Sequence, residues 1–367
     1  MILHKGKDFA IKYKDQIITY DDLSYKVNKY KTLLNIKKGD KVAIFSENRP
    51  EWVYSFLAVW QMGGIAVIID SAMLVDDLYY ILGETKPKKI FASASNINIL
   101  NKINLNFENQ VIIFDNILEN ELKTNHYTIQ DIDEDVVVIC FSSGTTGKIK
   151  GVMTTKGNIL SELSEIKKYA FIKPRVLCML PFHHMYSLVT SMLAPLYYGQ
   201  CMYMLSTITP EEISRTIIEN KINAIITIPK IVEMMHRKIM SKINESKISK
   251  TAFYISKIFN NHNLSKLLFK KIQQQFGGEL DYIAVGGGRL DPKIERDLFT
   301  LSITIYNGYG LSETSPIISS NSKFYFKFGS IGKPYSINQV KIVNEEIVVK
   351  GKNVMKGYYN NHEATVA

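Results

Sequence analysis

The string Ser142-Ser143-Gly144-Thr145-Thr146-Gly147-Lys148-Ile149-Lys150-Gly151 has the residue types that hold an anion. Its glycines let a backbone approach closely, its hydroxyls and N–H groups donate to phosphate oxygens, and Lys148 and Lys150 bring positive charge. It follows the apolar run Val136-Val137-Val138-Ile139-Cys140-Phe141, which reads as a buried strand, and a helix is expected to start near Lys156. The P-loop of nucleotidases is excluded, because two residues rather than four separate Gly144 from Gly147. Taken alone, such a loop is also what a flexible turn of small residues looks like.

Further constellations follow in order. Leu180-Pro181-Phe182-His183-His184-Met185-Tyr186-Ser187-Leu188 places two imidazoles in an apolar setting. Val285-Gly286-Gly287-Gly288-Arg289-Leu290 comes directly after an expected strand, and by itself it is a weak signal. Tyr306-Asn307-Gly308-Tyr309-Gly310-Leu311-Ser312-Glu313-Thr314 combines a flat ring, small residues and a hard carboxylate.

These strings and their order resemble the acyl-adenylate-forming superfamily of acyl-CoA synthetases, peptide-synthetase adenylation domains and luciferases. The resemblance runs from about residue 15 to the last residue. It implies that the 142–150 loop, with Ser142, Ser143, Gly144, Thr145, Thr146, Gly147, Lys148 and Lys150, holds the β- and γ-phosphates of ATP. Gly286, Gly287 and Gly288 would lie against adenine, where a side chain would collide with the base. Tyr309 would stack on that base, with Asn307, Gly308, Gly310 and Ser312 also lining the nucleotide. Glu313 would hold Mg²⁺, and Thr145, His184 and Glu313 would be catalytic. Two departures are Ile149, where the family has proline, and Ser312, where it has threonine.

The implied reaction joins a carboxylate to AMP with release of pyrophosphate and then passes the acyl group to a thiol, as an acid–thiol ligase does. Relatives that activate amino acids carry an aspartate in the segment matching 181–187; here there is none. Ser46-Glu47-Asn48-Arg49-Pro50-Glu51-Trp52 and the 308–316 string look most like long-chain fatty acid–CoA ligases, so a fatty acid and CoA are expected. A medium-chain or aryl acid, or an acyl carrier protein as acceptor, stays open.

The elements that must position these residues follow from the apolar pattern. Short apolar runs at 42–45, 65–69, 89–92 and 111–114 alternate with helical patterns, one of which puts Leu23, Val27, Tyr30 and Leu34 on one face. Later strands are expected at 224–228, 282–285 and 304–306, with a long Lys-rich helical stretch over 231–276. Together with the resemblance this gives an α/β fold: two doubly wound αβ subdomains in αβαβα layers, interleaved over 1–328, then an incomplete small β-barrel unit over 329–367. In the latter, 339–343 and 346–350 read as strands joined by Asn344-Glu345.

The family next carries a Thr-Gly-Asp ribose clamp and a mobile C-terminal domain with a lysine. Neither stands before Ala367, so the expected alternatives are part of a ligase, a ligase completed by a separately encoded piece, or a non-catalytic binder of ATP or acyl-AMP.

Composition is that of a globular protein, 46% hydrophobic and 22% charged. The net charge of +10 is spread along the chain, and no recognition module accompanies it, which disfavours nucleic acid as a partner. Cys140, Cys178 and Cys201 are widely spaced, without a zinc or disulfide pattern, as expected of a reducing cytoplasm. The Lys-rich 231–275 stretch can rest on an anionic membrane; the plainer expectation is that Met234, Met235, Ile239, Ile243, Leu267 and Leu268 pack on the core while the lysines face water.

Overall fold

The structure, a computed structural model, describes residues 6–103, 105, 110–117, 133–143, 149–169, 175–259 and 262–366, with 143, 169 and 262–264 described by backbone alone. It is an α/β fold built on two large twisted sheets.

The seven-stranded sheet runs in the order Gly357–Tyr358, Ile149–Thr155, Val136–Ser143, Ile65–Ile69, Lys41–Phe45, Lys89–Ala92, Val111–Ile113. Its last five strands are parallel. The apolar runs produce this directly, because a strand covered by helices on both faces has no polar side to display. Pro50 opens the helix Pro50–Gln61, where its missing N–H costs nothing, and Gly63 at φ +70° turns the chain back into Ile65–Ile69.

The nine-stranded sheet runs Lys333–Pro334, Ser319–Ser320, Ile305–Tyr309, Tyr282–Val285, Ala224–Thr227, Arg175–Cys178, Cys201–Met204, Phe9–Tyr13, Gln16–Thr19. Chain order reverses between Arg175–Cys178 and Ala224–Thr227, whose outward neighbours are Cys201–Met204 and Tyr282–Val285. Such a switch point leaves a crevice beyond the carboxyl ends of the strands. The N-terminal hairpin joins this later sheet, so the two units are interleaved in sequence.

From residue 329 onward the chain is distributed among three sheets. Lys333–Pro334 pairs with Ser319–Ser320, Gly357–Tyr358 pairs with Ile149–Thr155, and Asn338–Val343 forms a separate hairpin with Glu346–Gly351. The hairpin turns on Asn344 and Glu345, both left-handed at φ +49° and +65°, which is the backbone a two-residue turn needs.

The Lys-rich stretch is four helices, Pro229–Glu245, Lys247–Phe259, His262–Leu268 and Lys270–Gln275. Its expected packing holds for Ile239 and Ile243, which are buried, and for Met235, which packs on the same cluster. It fails for Met234, Leu267 and Leu268, which are 45%, 74% and 45% exposed. These three sit on helix faces turned away from the sheet.

Candidate active site

The strands Val136–Ser143 and Ile149–Thr155 are antiparallel, with Ser142 opposite Lys150 and Ser143 opposite Ile149. The two ends of the 142–150 string therefore lie side by side on paired strands. Gly144, Thr145, Thr146, Gly147 and Lys148 lie outside the described residues. The strand Ile149–Thr155 has no counterpart in the sequence reading, which ran from loop to helix; the helix Lys156–Tyr169 does begin where expected.

Beside those paired strands, Tyr358 pairs with Val152. The Lys150 ammonium sits 5.1 Å from the centre of the Tyr358 ring. The Tyr358 hydroxyl donates to Glu313 Oε1 at 2.8 Å, and the Met355 N–H donates to the Glu313 carbonyl at 2.8 Å. Burial, then the neighbouring Glu313 carboxylate, push the Tyr358 hydroxyl up to about 12, so it remains a donor. Lys150 and Glu313, named from separate strings, are thus joined through a residue that neither string contains.

Glu313 is delivered by the end of the strand Ile305–Tyr309. The Asn307 carbonyl accepts from the Asn321 N–H at 2.8 Å, and Gly308 and Tyr309 face Ser320 and Ser319. A Cβ at Gly310 would overlap the Pro316 carbonyl, so only glycine fits this bend. Ser312–Thr314 is then a short 3₁₀ turn, closed by the Leu311 N–H donating to Thr314 Oγ1 at 3.0 Å. This turn sets Ser312 on the cavity wall and aims Glu313 at Tyr358.

The glycine turn lies at the end of Tyr282–Val285. Gly287 has φ +76°, and the Gly286 N–H donates to the Thr227 carbonyl at 3.2 Å. A Cβ on Gly286 would stand 2.9 Å from the ring of Tyr186. The protein's own tyrosine therefore already demands glycine at this position. Gly288 has more room, its nearest neighbour being Pro229 at 3.4 Å, and it does not line the cavity.

His184 ends the crossover from the strand Arg175–Cys178 and caps the short helix Met185–Ser187. Asn48 holds this crossover from the other sheet: its amide donates to the Leu180 carbonyl at 2.8 Å and accepts from the Phe182 N–H at 2.9 Å. His183 and His184 meet Nε2 to Nε2 at 3.2 Å, and Asp70 lies 3.7 Å from His183. Burial lowers both imidazoles; His183 falls to about 4, with His184 adding to the effect and Asp70 opposing it. Both are neutral at pH 7, so one ring nitrogen donates to the other.

A cavity of about 470 Å³ opens at the switch point. At its upper end stand Gly286, Gly287, Tyr309, Gly310, Ser312 and His184. It then descends along the sheet past Ile226, Ala284, Val176 and Tyr282. From Gly286 to Tyr282 is four residues of extended chain, a depth of about 13 Å. The lower wall is mostly apolar, and its polar groups come from the tilted pair Tyr282 and Tyr306, whose rings lie 5.4 Å apart, and from Lys167, Thr190, Tyr198 and Gln200. Tyr186, Tyr282, Tyr306, Asn321 and Tyr358 complete the site without having been singled out in the sequence. A tyrosine two residues beyond His184 was the available signal for Tyr186, whereas Tyr358 becomes visible only through strand pairing.

The donor chemistry at Glu313 fits a divalent cation. One oxygen is held by Tyr358 and the other has no hydrogen-bond partner among the described residues. Among those residues no cluster of three or more His, Cys, Asp or Glu side chains is present, so Glu313 would act with few protein ligands beside it. That suits Mg²⁺, which is typically bound by one or two carboxylates together with substrate phosphates and water.

Residues 3–359 match the family described as AMP-binding enzyme, and the chain belongs to it. It is 26% identical over 380 residues to a probable 4-coumarate–CoA ligase 2 of Dictyostelium discoideum, covering 90% of this chain and 63% of that one. It is 24% identical to a chloroplastic long-chain-fatty-acid–[acyl-carrier-protein] ligase of Arabidopsis thaliana, over 91% of this chain and 58% of that one. The chain thus spans about six tenths of the length of these curated relatives. Its fold superposes with a TM-score of 0.81 on the N-terminal domain of FACL13 from Mycobacterium tuberculosis, at 18% identity, covering 98% of this chain and 89% of that one.

Proposed function

We propose that this protein activates a carboxylic acid as its acyl adenylate at the expense of ATP, with a long-chain fatty acid as the acid and CoA as the thiol that receives the acyl group. The observation that supports it best is the cavity itself. A glycine-walled, tyrosine-edged upper end continues into a mostly apolar trough along the sheet, which matches the two halves of an acyl adenylate. Membership of the AMP-binding family supports the nucleotide half. The absence of any carboxylate among 181–187 supports an acid without an α-ammonium group. In this reading residues 1–328 are the AMP-binding unit, and a small β unit begins at 329.

Two anions must meet in such a reaction, so catalysis is alignment and charge neutralisation. Mg²⁺ held at Glu313 would supply positive charge to the phosphates. Lys150 adds a fixed charge on the strand Ile149–Thr155, and Ser312 presents a hydroxyl donor on the cavity wall beside Gly310. Neutral His184 sits where the apolar trough meets the nucleotide end, so a carboxylate can pass it without being captured by an imidazolium. The mostly apolar lower wall would take the acyl chain out of water.

The test is calorimetric binding of two stable acyl-adenylate mimics, palmitoyl and coumaroyl sulfamoyl adenosine. The palmitoyl compound is expected to bind at least a hundredfold more tightly than ATP or palmitate alone, as an intermediate mimic should. Binding of neither would sink the adenylation reading, while tighter binding of the coumaroyl compound would replace the fatty acid with an aryl acid.

A further inference from the structure

We propose that the helices Lys247–Phe259 and His262–Leu268 form a docking surface for an anionic lipid membrane. On the first helix Ile248, Ile255 and Phe259 recur at spacings of seven and four, which places them on one face, with Ile258 beside them. Ile248, Ile258 and Phe259 are 83%, 79% and 68% exposed, and Leu267 on the adjoining helix is 74% exposed. The same two helices are fastened to the protein from within. Phe253 is buried, and its ring lies 6.5 Å from that of Phe269 at the end of the second helix. The apolar stripe is thus held outward by a fixed base.

Charge selects the partner. Residues 247–275 contain Lys247, Lys250, Lys257, Lys266, Lys270 and Lys271 and no aspartate or glutamate. Lys257 is engaged by Asp297 at 2.7 Å, and the other five are exposed. A second copy of this chain docking through the same face by two-fold symmetry would set those lysines against their own counterparts, which is repulsive. Apolar side chains rimmed by lysines instead complement the headgroup layer of a bilayer carrying negative lipids. A second exposed apolar patch, Ile342, Val343, Ile347 and Val348 on the hairpin Asn338–Val343/Glu346–Gly351, carries Glu345 and Glu346 beside Lys341 and Lys350, so its mixed charge has no such preference. Among the described residues no helix is long and apolar enough to cross a membrane, so the contact is with the surface.

Sedimentation of the full chain with phosphatidylcholine vesicles, with and without phosphatidylserine, tests this. Binding is expected to the mixed vesicles at low salt, to weaken at high salt, and to be negligible with phosphatidylcholine alone. Lys250→Gln, Lys266→Gln and Lys270→Gln should each weaken it roughly fivefold, and the pair Ile255→Asp and Phe259→Asp by at least about tenfold. All five side chains are exposed, so melting temperature and nucleotide binding should stay as in the parent chain, which keeps a docking defect distinct from a folding defect. No sedimentation with anionic vesicles at low salt, or undiminished binding by the apolar pair, would overturn the proposal. So would light scattering that shows a dimer which the apolar pair dissociates.

Discussion

Tyr358 shows how one side chain can couple regions that are distant in sequence. Its ring carries the Lys150 ammonium on one face, while its hydroxyl donates to Glu313 Oε1. The bond orients the carboxylate and leaves its second oxygen without a hydrogen-bond partner among the described residues, so that oxygen would be the one to hold the proposed cation. A hydrogen bond to a charged group contributes about 1.5 kcal/mol or more, roughly tenfold in affinity. Tyr358→Phe is therefore expected to weaken ATP binding about tenfold when Mg²⁺ is present. Binding measured in EDTA should be unchanged, because the carboxylate then has no cation to place. Equal losses in both conditions would mean that Tyr358 shapes the fold and not the carboxylate. None of this is legible in the residues themselves. Tyr358 reads as one ring in a Gly-Tyr-Tyr run, and its partner is fixed by a strand pairing that only the folded chain displays.

At the scale of elements, the helix Lys156–Tyr169 collects the tail of the chain. Asn158 donates to the carbonyls of Lys352 and Val354 at 2.8 and 2.9 Å, Asn353 donates to Glu162 Oε1 at 2.6 Å, and the Ser336 N–H donates to Glu165 Oε2 at 2.7 Å. The two carboxyl groups behave oppositely. Burial opposes ionisation of Glu165, yet hydrogen bonds from Lys168 and Ser336 hold it below its ordinary value. Burial dominates at Glu162 and raises it well above its ordinary value, with Asn353 and the Ile317 backbone opposing. Above the unfolded carboxyl pKa of about 4.3, the folded state keeps a proton at Glu162 that the unfolded chain has released. Stability from this group is therefore fully present at low pH and declines as pH rises, by about 1.4 kcal/mol per unit, until the folded pKa is passed. Glu162→Gln carries no such proton. Its melting temperature should exceed that of the parent at about pH 8 and converge with it near pH 4. A difference independent of pH would show that Glu162 ionises freely in the folded protein.

Legibility also varies by element, and for physical reasons. The strands Lys41–Phe45 and Ile65–Ile69 are dense in β-branched and aromatic residues and stand out in the sequence. Cys201–Met204 has none of the β-branched residues, and the hairpin Phe9–Tyr13/Gln16–Thr19 turns on Lys14 at φ +53°, a residue that does not announce a turn. Ile149–Thr155 was hidden because lysine and glycine at 150 and 151 resemble loop, although pairing with Ser142 and Phe141 makes them strand. The long Lys-rich helix expected over 231–276 is broken into four, at positions where no proline or glycine marks a break.

Across the whole molecule, the proposed site exists only if the two large sheets keep their relative position, since the paired strands Val136–Ser143 and Ile149–Thr155 belong to one and the cavity to the other. The Asn48 side chain is a direct tie between them. It follows the strand Lys41–Phe45 of the seven-stranded sheet and satisfies both the carbonyl of Leu180 and the N–H of Phe182, beyond the strand Arg175–Cys178 of the nine-stranded sheet. Trp52 adds an apolar contact at the same joint, its ring 5.4 Å from that of Phe182. Removing the amide orphans two backbone groups at once, at a cost of about 1–3 kcal/mol each if water does not replace it. Asn48→Ala is therefore expected to lower the urea midpoint by a corresponding amount. It should also weaken binding of the palmitoyl adenylate mimic beyond what the loss of folded protein explains, because His183 and His184 follow directly on the released segment. Asn48→Asp, which retains the acceptor for the Phe182 N–H and loses the donor to Leu180, should fall between the two in both measurements. Should the alanine variant bind the mimic as the parent does once folded protein is counted, the joint would be structural alone, and the placement of His184 would rest on the cavity wall rather than on the sheet opposite.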